Sequence, residues 1–401
     1  MFNNFLDICT LVFGVLIKGF GLYFFIISLF SFRSKRAYPK AAPVTRFCCV
    51  IAARNEEKVI GNIIQSIRRQ DYPQELCDIL VIPNNCTDNT ESAALNAGAQ
   101  IFKCTQNPRS KGDALHEAFE MLKDSEYDAF LIFDADNVLM PGYLQAMNDA
   151  FCTGAKITKS KIIAKNPYDS WTSGCYGLYF HICNTFFNSP RDVLGLSAKL
   201  IGTGFGVHRS VIQDMDGWNT ETLAEDTEFY ADLTLRDEKV CWVPDAVTCD
   251  EEPESFHISL RQRKRWASGI MSVFDIKAVS LLKKILKKKA STVWQRLDTI
   301  LILLTPYLQA LSFIPGAMLI ISSIIHKSIP ELLMISIMGI VGVCIVVVIA
   351  LTVMVQFSPY RNPAIYKSIL MFPVFLFSWS VLCLLSVFKR TKHWAQITHN
   401  G

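Results

Sequence analysis

The sequence predicts an α/β domain with a mostly parallel, doubly wound sheet, flanked by helices that cross a membrane. Three observations carry this reading. Short apolar runs ending in polar loops alternate with segments of helical spacing from about residue 46 to residue 274. Apolar stretches of the roughly 20 residues needed to span a bilayer lie on both sides of that region. The chain is also 51% hydrophobic with a mean hydropathy of +0.26, which is too apolar for an ordinary soluble protein.

Taken in order, Leu11 to Phe32 holds one charge, Lys18, and no small-residue cleavage site follows it. It reads as an uncleaved anchor. Arg33, Lys35, Arg36 and Lys40 come next, and by the positive-inside rule they put the following domain in the cytoplasm. Phe47 to Ala53 is an apolar run of a strand buried on both faces. Glu56 to Arg69 has helical spacing through Val59, Ile60, Ile63, Ile64 and Ile67. Asp78 to Pro83 is a second strand, opening into the loop Asn84 to Thr90. A helix over Glu91 to Ala97, a strand over Gln100 to Cys104, a helix over Lys111 to Lys123 and a fourth strand over Phe130 to Asp134 complete the first half.

The second half is less regular. Lys156 to Ala164 and Val240 to Val247 read as strands, and Leu200 to Val207 as a strand with a glycine break. Tyr168 to Phe187, rich in aromatics and glycine, fits helix or loop. Lys277 to Lys289 mixes six lysines with Val279, Leu281, Leu282, Ile285 and Leu286, as suits a helix lying on an anionic leaflet. Three apolar spans follow: Thr299 to Ile325, Leu332 to Val355 and Ile369 to Phe388. The expected units are thus an anchor (1–40), a cytoplasmic domain (41–275), an interface segment (276–298) and carboxyl-terminal membrane helices (299–401). Four crossings from an outside amino terminus put the tail outside, yet Lys389, Arg390, Lys392 and His393 argue that it is inside. Pro306 and Pro315 interrupt the first of the three spans, so part of it fits an interfacial or re-entrant segment, and the crossing count stays open.

Net charge is +4, and the basic residues cluster beside apolar runs, which argues for membrane flanks and against nucleic acid. The 13 cysteines contain no CxxC, and the seven histidines have no metal-ligand spacing. Reduced, buried thiols follow, not a disulfide frame or a zinc site.

Chemistry gathers where strands end. Phe130-Leu131-Ile132-Phe133 runs into Asp134-Ala135-Asp136-Asn137, and ligands of such sheets bind past the carboxyl ends of the strands. Two carboxylates there can share one divalent cation with substrate phosphates, or form an acidic turn that caps a helix. The loops Ala52-Ala53-Arg54-Asn55-Glu56-Glu57 and Asn84-Asn85-Cys86-Thr87-Asp88 suit a nucleotide base and ribose, or are ordinary turns. Arg109-Ser110-Lys111-Gly112 faces a diphosphate or is solvated. Asp226, in Leu223-Ala224-Glu225-Asp226-Thr227-Glu228, has the acidic neighbours that tune a base, or the acids of a helix start. Gln262-Arg263-Lys264-Arg265-Trp266 offers guanidinium for a diphosphate and an indole for stacking, or is a basic cluster beside a membrane.

In this order the motifs resemble the membrane-bound family 2 glycosyltransferases, which include the cellulose, hyaluronan and poly-N-acetylglucosamine synthases. The matching residues are Asp88, Asp134-Ala135-Asp136, Ala224-Glu225-Asp226 and Gln262 to Trp266, with Gly202-Thr203-Gly204 matching the family's segment near the acceptor. The resemblance implies a glycosyltransferase A-type, Rossmann-like fold, a UDP-sugar donor, and Mg²⁺ or Mn²⁺ on Asp136 with Asp134. It implies Asp226 as the general base and an inverting displacement. It further implies that Ala53, Asn55, Glu57, Asn84, Asp88, Lys111, Asp134, Gln262, Arg265 and Trp266 line the donor and acceptor sites. Two positions depart from the pattern. Asn84 stands where many relatives carry Asp, which weakens the usual uracil contact, and Ala224 stands for Thr. The leading expectation is a processive polysaccharide synthase with export, which an additional protein could complete. The alternative is a single-addition transferase acting on a lipid, as the ceramide glucosyltransferases do. A non-catalytic scaffold fits poorly with intact Asp134, Asp136, Asp226 and Arg265.

Overall fold

The computed structural model describes residues 2–33, 37–287, 290–325 and 329–391. Lys35, Arg36, Lys288, Lys289, Lys392 and His393, used above for topology, lie outside the described residues.

The chain opens with α1 (Phe2–Leu29) and then enters the alternating region. Its elements are β1 (Phe47–Ala53), α2 (Ile60–Arg68), β2 (Cys77–Pro83), α3 (Thr90–Asn96), β3 (Gln100–Ile101), α4 (Lys111–Leu122) and β4 (Ala129–Asp134). Then come β5 (Val138–Leu139), α5 (Tyr143–Cys152), β6 (Ile157–Ala164), α6 (Trp171–Ile182), a π-helical turn (Cys183–Asn188) and α7 (Ser189–Val193). The domain continues through β7 (Phe205–His208), α8 (Arg209–Asp214), α9 (Glu225–Leu235) and β8 (Val240–Asp250). Five long helices close the chain: α10 (Phe256–Ile285), α11 (Ala290–Leu311), α12 (Phe313–Ile325), α13 (Ile329–Val355) and α14 (Ile365–Phe388).

The eight strands form one sheet in the order β3-β2-β1-β4-β7-β6-β8-β5. Strands β3, β2, β1 and β4 are parallel, β7 runs antiparallel to both β4 and β6, and β8 is parallel to β6. Side chains alternate between two buried faces. Cys49, Ile51, Leu131 and Phe133 pack against α2 and α5. Val50, Phe130 and Ile132 pack against α4, α9 and Trp218. Covering both faces is what makes these strands uniformly apolar. The register pairs Ala53 with Pro83 and Ala52 with Asp134, so β1, β2 and β4 end level and set their three polar loops side by side.

Three expectations change, the first being the strand expected over Gln100 to Cys104, which pairs only over Gln100–Ile101. The strand expected over Leu200 to Val207 begins only at Phe205, because the preceding segment turns away as a loop. Gly202 and Gly204 take φ of +33° and +63°, and a Cβ on Gly204 would come within 2.4 Å of Ser160 Oγ. The helix expected from Glu56 begins at Ile60, leaving Arg54 to Glu57 as loop. All 13 cysteines are free thiols.

Among the described residues, four helical stretches are long and apolar enough to cross a membrane: Ile8–Phe32, Thr292–Ile325, Ile329–Val355 and Ile365–Phe388. They pack differently. The most apolar part of α13 is entirely unburied, whereas a third of that of α14 is buried. Helix α14 is bound to the α/β domain along its whole length. Near its start, Cys175 Sγ of α6 lies 3.4 Å from the Ser368 carbonyl. At its middle, buried Arg263 of α10 donates to the Phe375 carbonyl at 2.8 Å and to Ser378 Oγ at 3.0 Å. Past its end, Arg390 pairs with Asp275 of α10 at 2.6 Å. Helix α10 runs unbroken through residue 275, so one rod carries both the Gln262 to Trp266 motif and the start of the basic segment.

Candidate active site

A cavity of about 240 Å³ opens at the carboxyl edge of the sheet. Its polar end is lined by Ala53, Asn84, Lys111, Asp134 and Asp136, and Gln262, Arg265 and Trp266 enter it from α10. The Leu200–Thr203 loop and Glu225–Asp226 form one wall. Loops and motifs as far apart in the chain as Ala53 and Trp266 therefore converge on one space.

Asp134 is the hub. Its Oδ1 accepts from Lys111 Nζ at 2.5 Å, and the same ammonium donates to the Gly202 carbonyl at 2.7 Å. Burial alone would lower the Lys111 pKa, but Asp134, with Glu225 beyond it, outweighs burial and raises it. The Asp134 N–H donates to Thr203 Oγ1 at 3.0 Å and to Asn137 Oδ1 at 3.2 Å, and the Thr203 hydroxyl in turn donates to Asn137 Oδ1. The glycine loop is thus bolted to the strand end. Gly112 lets α4 begin against the start of α9, since a Cβ there would meet Thr220 Oγ1 at 2.7 Å and Glu225 Cβ at 3.3 Å.

Asp136 is buried, and the Asn137 amide donates to it at 3.3 Å and to Asp250 at 2.8 Å. Nearby Glu252 is buried with Oε1 lacking a hydrogen bond, and burial, with Asp250 and Asp136, holds its carboxyl well above the usual range. Among the described residues no three His, Cys, Asp or Glu side chains converge as a ready-made metal cage. Hard carboxylate oxygens from one or two residues, completed by donor phosphates, are the way Mg²⁺ is usually held, so this donor set fits such an ion.

Asp226 opens α9. Its Oδ2 accepts from the Gly202 N–H at 2.5 Å and its Oδ1 from the Thr227 N–H at 2.7 Å. Acidic crowding at the start of α9 shows on Glu225. Burial, then Asp226 and Asp134, push the Glu225 carboxyl up to about 7 against the pull of Lys111. In the α10 motif the two arginines divide the work. Arg263 is sequestered against α14, while Arg265 reaches the cavity. Gln262 Oε1 accepts from Tyr176 OH at 2.8 Å, and Trp266 stands 6.1 Å from Trp379 of α14.

Asn55, Glu57 and Asp88 do not line the cavity; they lace the loops after β1 and β2 together. The Glu57 N–H donates to Asp88 Oδ2 at 3.1 Å, the Thr87 N–H to Asn55 Oδ1 at 2.7 Å, and Asn89 to Glu57 at 3.1 Å. Slight burial raises the Asp88 pKa, and hydrogen bonds from Thr90 and the Glu57 N–H more than reverse it. Asn84 does line the cavity. Its Nδ2 donates to the Ser110 carbonyl at 3.2 Å, which leaves Oδ1 as a buried acceptor without a partner.

Two lysines escaped sequence reasoning, for neither belongs to a motif. Lys159 on β6 is buried beneath the glycine loop and donates to the Thr203 carbonyl at 2.6 Å. Burial pulls its ammonium down to about 7 against the attraction of Asp250, Asp226 and Asp134. Lys199 lines the cavity just before the same loop.

Residues 43–269 match the model of a family described as glycosyltransferase like family 2. The chain is 29% identical over 264 residues to a β-monoglucosyldiacylglycerol synthase of Synechocystis, covering 61% of this chain and 54% of that protein. It is 24% identical over 268 residues to a poly-β-1,6-N-acetyl-D-glucosamine synthase of Staphylococcus epidermidis, covering 63% and 61%. It thus spans little more than half the length of these curated relatives. Among solved structures, a mannosyltransferase from Pyrobaculum calidifontis in complex with GDP-Man and Mn²⁺ superposes over 93% of this chain and 99% of that one. The TM-score is 0.63 at 17% identity, a likeness of fold. The α/β architecture is accordingly of the glycosyltransferase A type. Because the matched span takes in every loop at the polar end of the cavity, the chain belongs to glycosyltransferase-like family 2.

Proposed function

We propose that this protein is an inverting, UDP-sugar-dependent transferase that adds a single sugar to a membrane lipid. The observation that carries the lipid reading is the shape of the cavity's second end. Tyr179, Phe180, Trp266, Ile270 and Trp379 make it apolar, and Trp379 belongs to α14. A headgroup entering there keeps its acyl chains beside the apolar helices. The outward-facing surfaces of α1 and α13 support the same reading, since a polymer needs a channel enclosed by packed spans. A processive synthase remains the second reading, favoured by the Trp266–Trp379 pair, an indole platform of the kind sugars stack on.

In the proposed reaction the acceptor oxygen attacks the anomeric carbon as its proton passes to Asp226. The bond to the donor's diphosphate breaks, and the nucleoside diphosphate leaves with the electron pair. Asp136, with Asp134, would hold Mg²⁺ or Mn²⁺, which supplies charge stabilisation to the leaving diphosphate. Arg265, with no partner among the described residues, is available to the same group. Asn84 Oδ1, oriented by the Ser110 carbonyl, can accept the imide N–H of uracil, so the exchange from Asp preserves an acceptor.

The attachment of α14 supports three crossings: α1, the end of α11 with α12, and α13. Helix α14 then lies along the membrane surface, and the basic tail falls on the side of the catalytic domain, as its charge requires. Labelling of single cysteines placed after Phe388 tests this; labelling from the face opposite the catalytic domain overturns it. Incubating membranes with divalent cation and radiolabelled UDP-sugars tests the activity. Label in solvent-extractable lipid is expected; label only in high-mass polymer would establish the second reading.

A further inference from the structure

Strand β6 sends a lysine into the interior beneath the glycine loop. Lys159 is 1% exposed, and its register partners are Phe205, the first residue of β7, and Trp242 of β8. Withdrawing an ammonium this far from water is costly, and an apolar side chain would fill the same space without that cost. What the lysine adds is a donor on a long stem. Its Nζ donates to the Thr203 carbonyl at 2.6 Å and lies 3.5 Å from the Gly204 carbonyl. Because Lys159 pairs with Phe205, its side chain has only to reach back along the neighbouring chain to meet Thr203.

The carbonyl it holds belongs to a pliant segment. Gly202 and Gly204 both have positive φ, and glycine has little steric preference of its own, so the path of this main chain is set by what it is tied to. Successive peptide groups have different partners. The Gly202 N–H donates to Asp226 Oδ2 at 2.5 Å, the Gly202 carbonyl accepts from Lys111 at 2.7 Å, and the Thr203 carbonyl accepts from Lys159. Gly204 is fixed by the sheet, its N–H on the Ile132 carbonyl at 2.9 Å and its carbonyl on the Ser160 N–H at 2.8 Å. The Thr203 hydroxyl is held separately, by the Asp134 N–H and Asn137. Lys111 lines the open cavity and is shared with Asp134, whereas Lys159 is closed off from solvent. Lys159 is therefore the main-chain tie between the two glycines that stays in place when the contacts on the cavity side exchange.

We propose that Lys159 is a positioning residue: through the Thr203 carbonyl it holds the glycine loop so that the Gly202 N–H keeps the Asp226 carboxylate aimed at the acceptor hydroxyl. This rests on the reading of Asp226 as the base. The full chain in membranes would be assayed with the radiolabelled UDP-sugar that gives transfer, counting label in lipid and polymer together so that the outcome does not depend on the acceptor. Lys159→Met, similar in length but without a donor, should lower kcat about ten- to hundredfold, the scale of a reacting group misplaced by about an ångström. Donor KM and the Kd of UDP, which also reports folding of the variants, should move less than about threefold. Lys159→Gln keeps an N–H donor one bond shorter and no charge, and should recover at least about threefold in kcat over the methionine variant. In the Asp226→Asn background, Lys159→Met should change the residual kcat by less than about twofold, because residues that act as one unit are not additive. A fall of about tenfold in that background as well, or a loss of UDP affinity, overturns the proposal, since the lysine would then act on the whole site and not through the base. Glutamine no better than methionine also overturns it, because the charge and not the donated bond would be at work. Native turnover in Lys159→Met beside a disabled Asp226→Asn overturns this proposal alone. Native turnover in Asp226→Asn removes the base reading, and this proposal with it.

Discussion

Two acid–base pairs hold this molecule together in contrasting ways. In the cavity, Lys111 meets Asp134 at 2.5 Å with side chains 16% and 40% exposed. In the frame, Arg191 of α7 grips Asp298 of α11 with two bonds of 2.9 Å, at 0% and 1% exposure. The frame pair is closed on every side. Tyr23 of α1 donates to Asp298 at 2.8 Å, and the Phe187 ring lies 3.5 Å from the Arg191 guanidinium. Its bonds to Tyr23 and within the pair join three helices, and Arg191 also donates to the Phe187 carbonyl at 2.9 Å. The cavity pair leaves carboxylate oxygen free and shares its lysine with a loop carbonyl, so in the proposed reaction an incoming diphosphate and cation can compete for both partners. The same chemistry serves as a rivet where water is excluded and as an exchangeable contact where it is not.

The largest expected effect concerns the cavity alone. Asp226→Asn should lower kcat by about 10²–10⁴, the usual contribution of a general base, with nucleotide Kd nearly unchanged by calorimetry. Turnover within twofold of the native protein would move the base elsewhere.

The second prediction tests the contrast directly. Asp298→Ala strands a buried guanidinium and should cost about 3–5 kcal/mol in chemical denaturation. Lys111→Met leaves a half-solvated carboxylate and should cost about 1 kcal/mol or less while reducing kcat/KM. Equal losses of stability would break the distinction between rivet and exchangeable contact.

A third prediction follows from Glu225. Its folded pKa is raised to about 7, so the native state binds more protons than the unfolded chain between the ordinary carboxyl range and that value. Stability should therefore fall as pH rises through this window. Glu225→Gln should flatten the fall, and an unchanged profile would assign the slope to another group. The smallest effect is expected of Trp266→Ala, which should raise acceptor KM about two- to tenfold, as loss of one aromatic contact does. A matching rise in donor KM would place the indole on the nucleotide side.

Much of the polar end was legible because its logic is local. β1, β2 and β4 are apolar on both faces, and each is followed at once by its functional loop, so Ala53, Asn84 and Asp134 could be read as strand ends. Asn55, Glu57 and Asp88 were found by the same rule, but they tie the loops together instead of facing the cavity. The Leu200 to Gly204 segment misled because its apolar residues serve a loop. Lys159 and Lys199 were silent because a lone lysine has no pattern; its meaning lies in what surrounds it.

The sequence by itself determined the parallel half of the sheet, the order of the motifs and the presence of long apolar helices, since each follows from local periodicity and composition. Only the tertiary structure decided which arginine of Arg263 and Arg265 faces the cavity, that the Glu225 carboxyl is buried and perturbed, and that α14 is held along its length by α6 and α10. Hydropathy counts apolar side chains without knowing what they touch. Burial, pairing and electrostatic neighbourhood arise between residues far apart in the chain, and they exist only once the chain has packed.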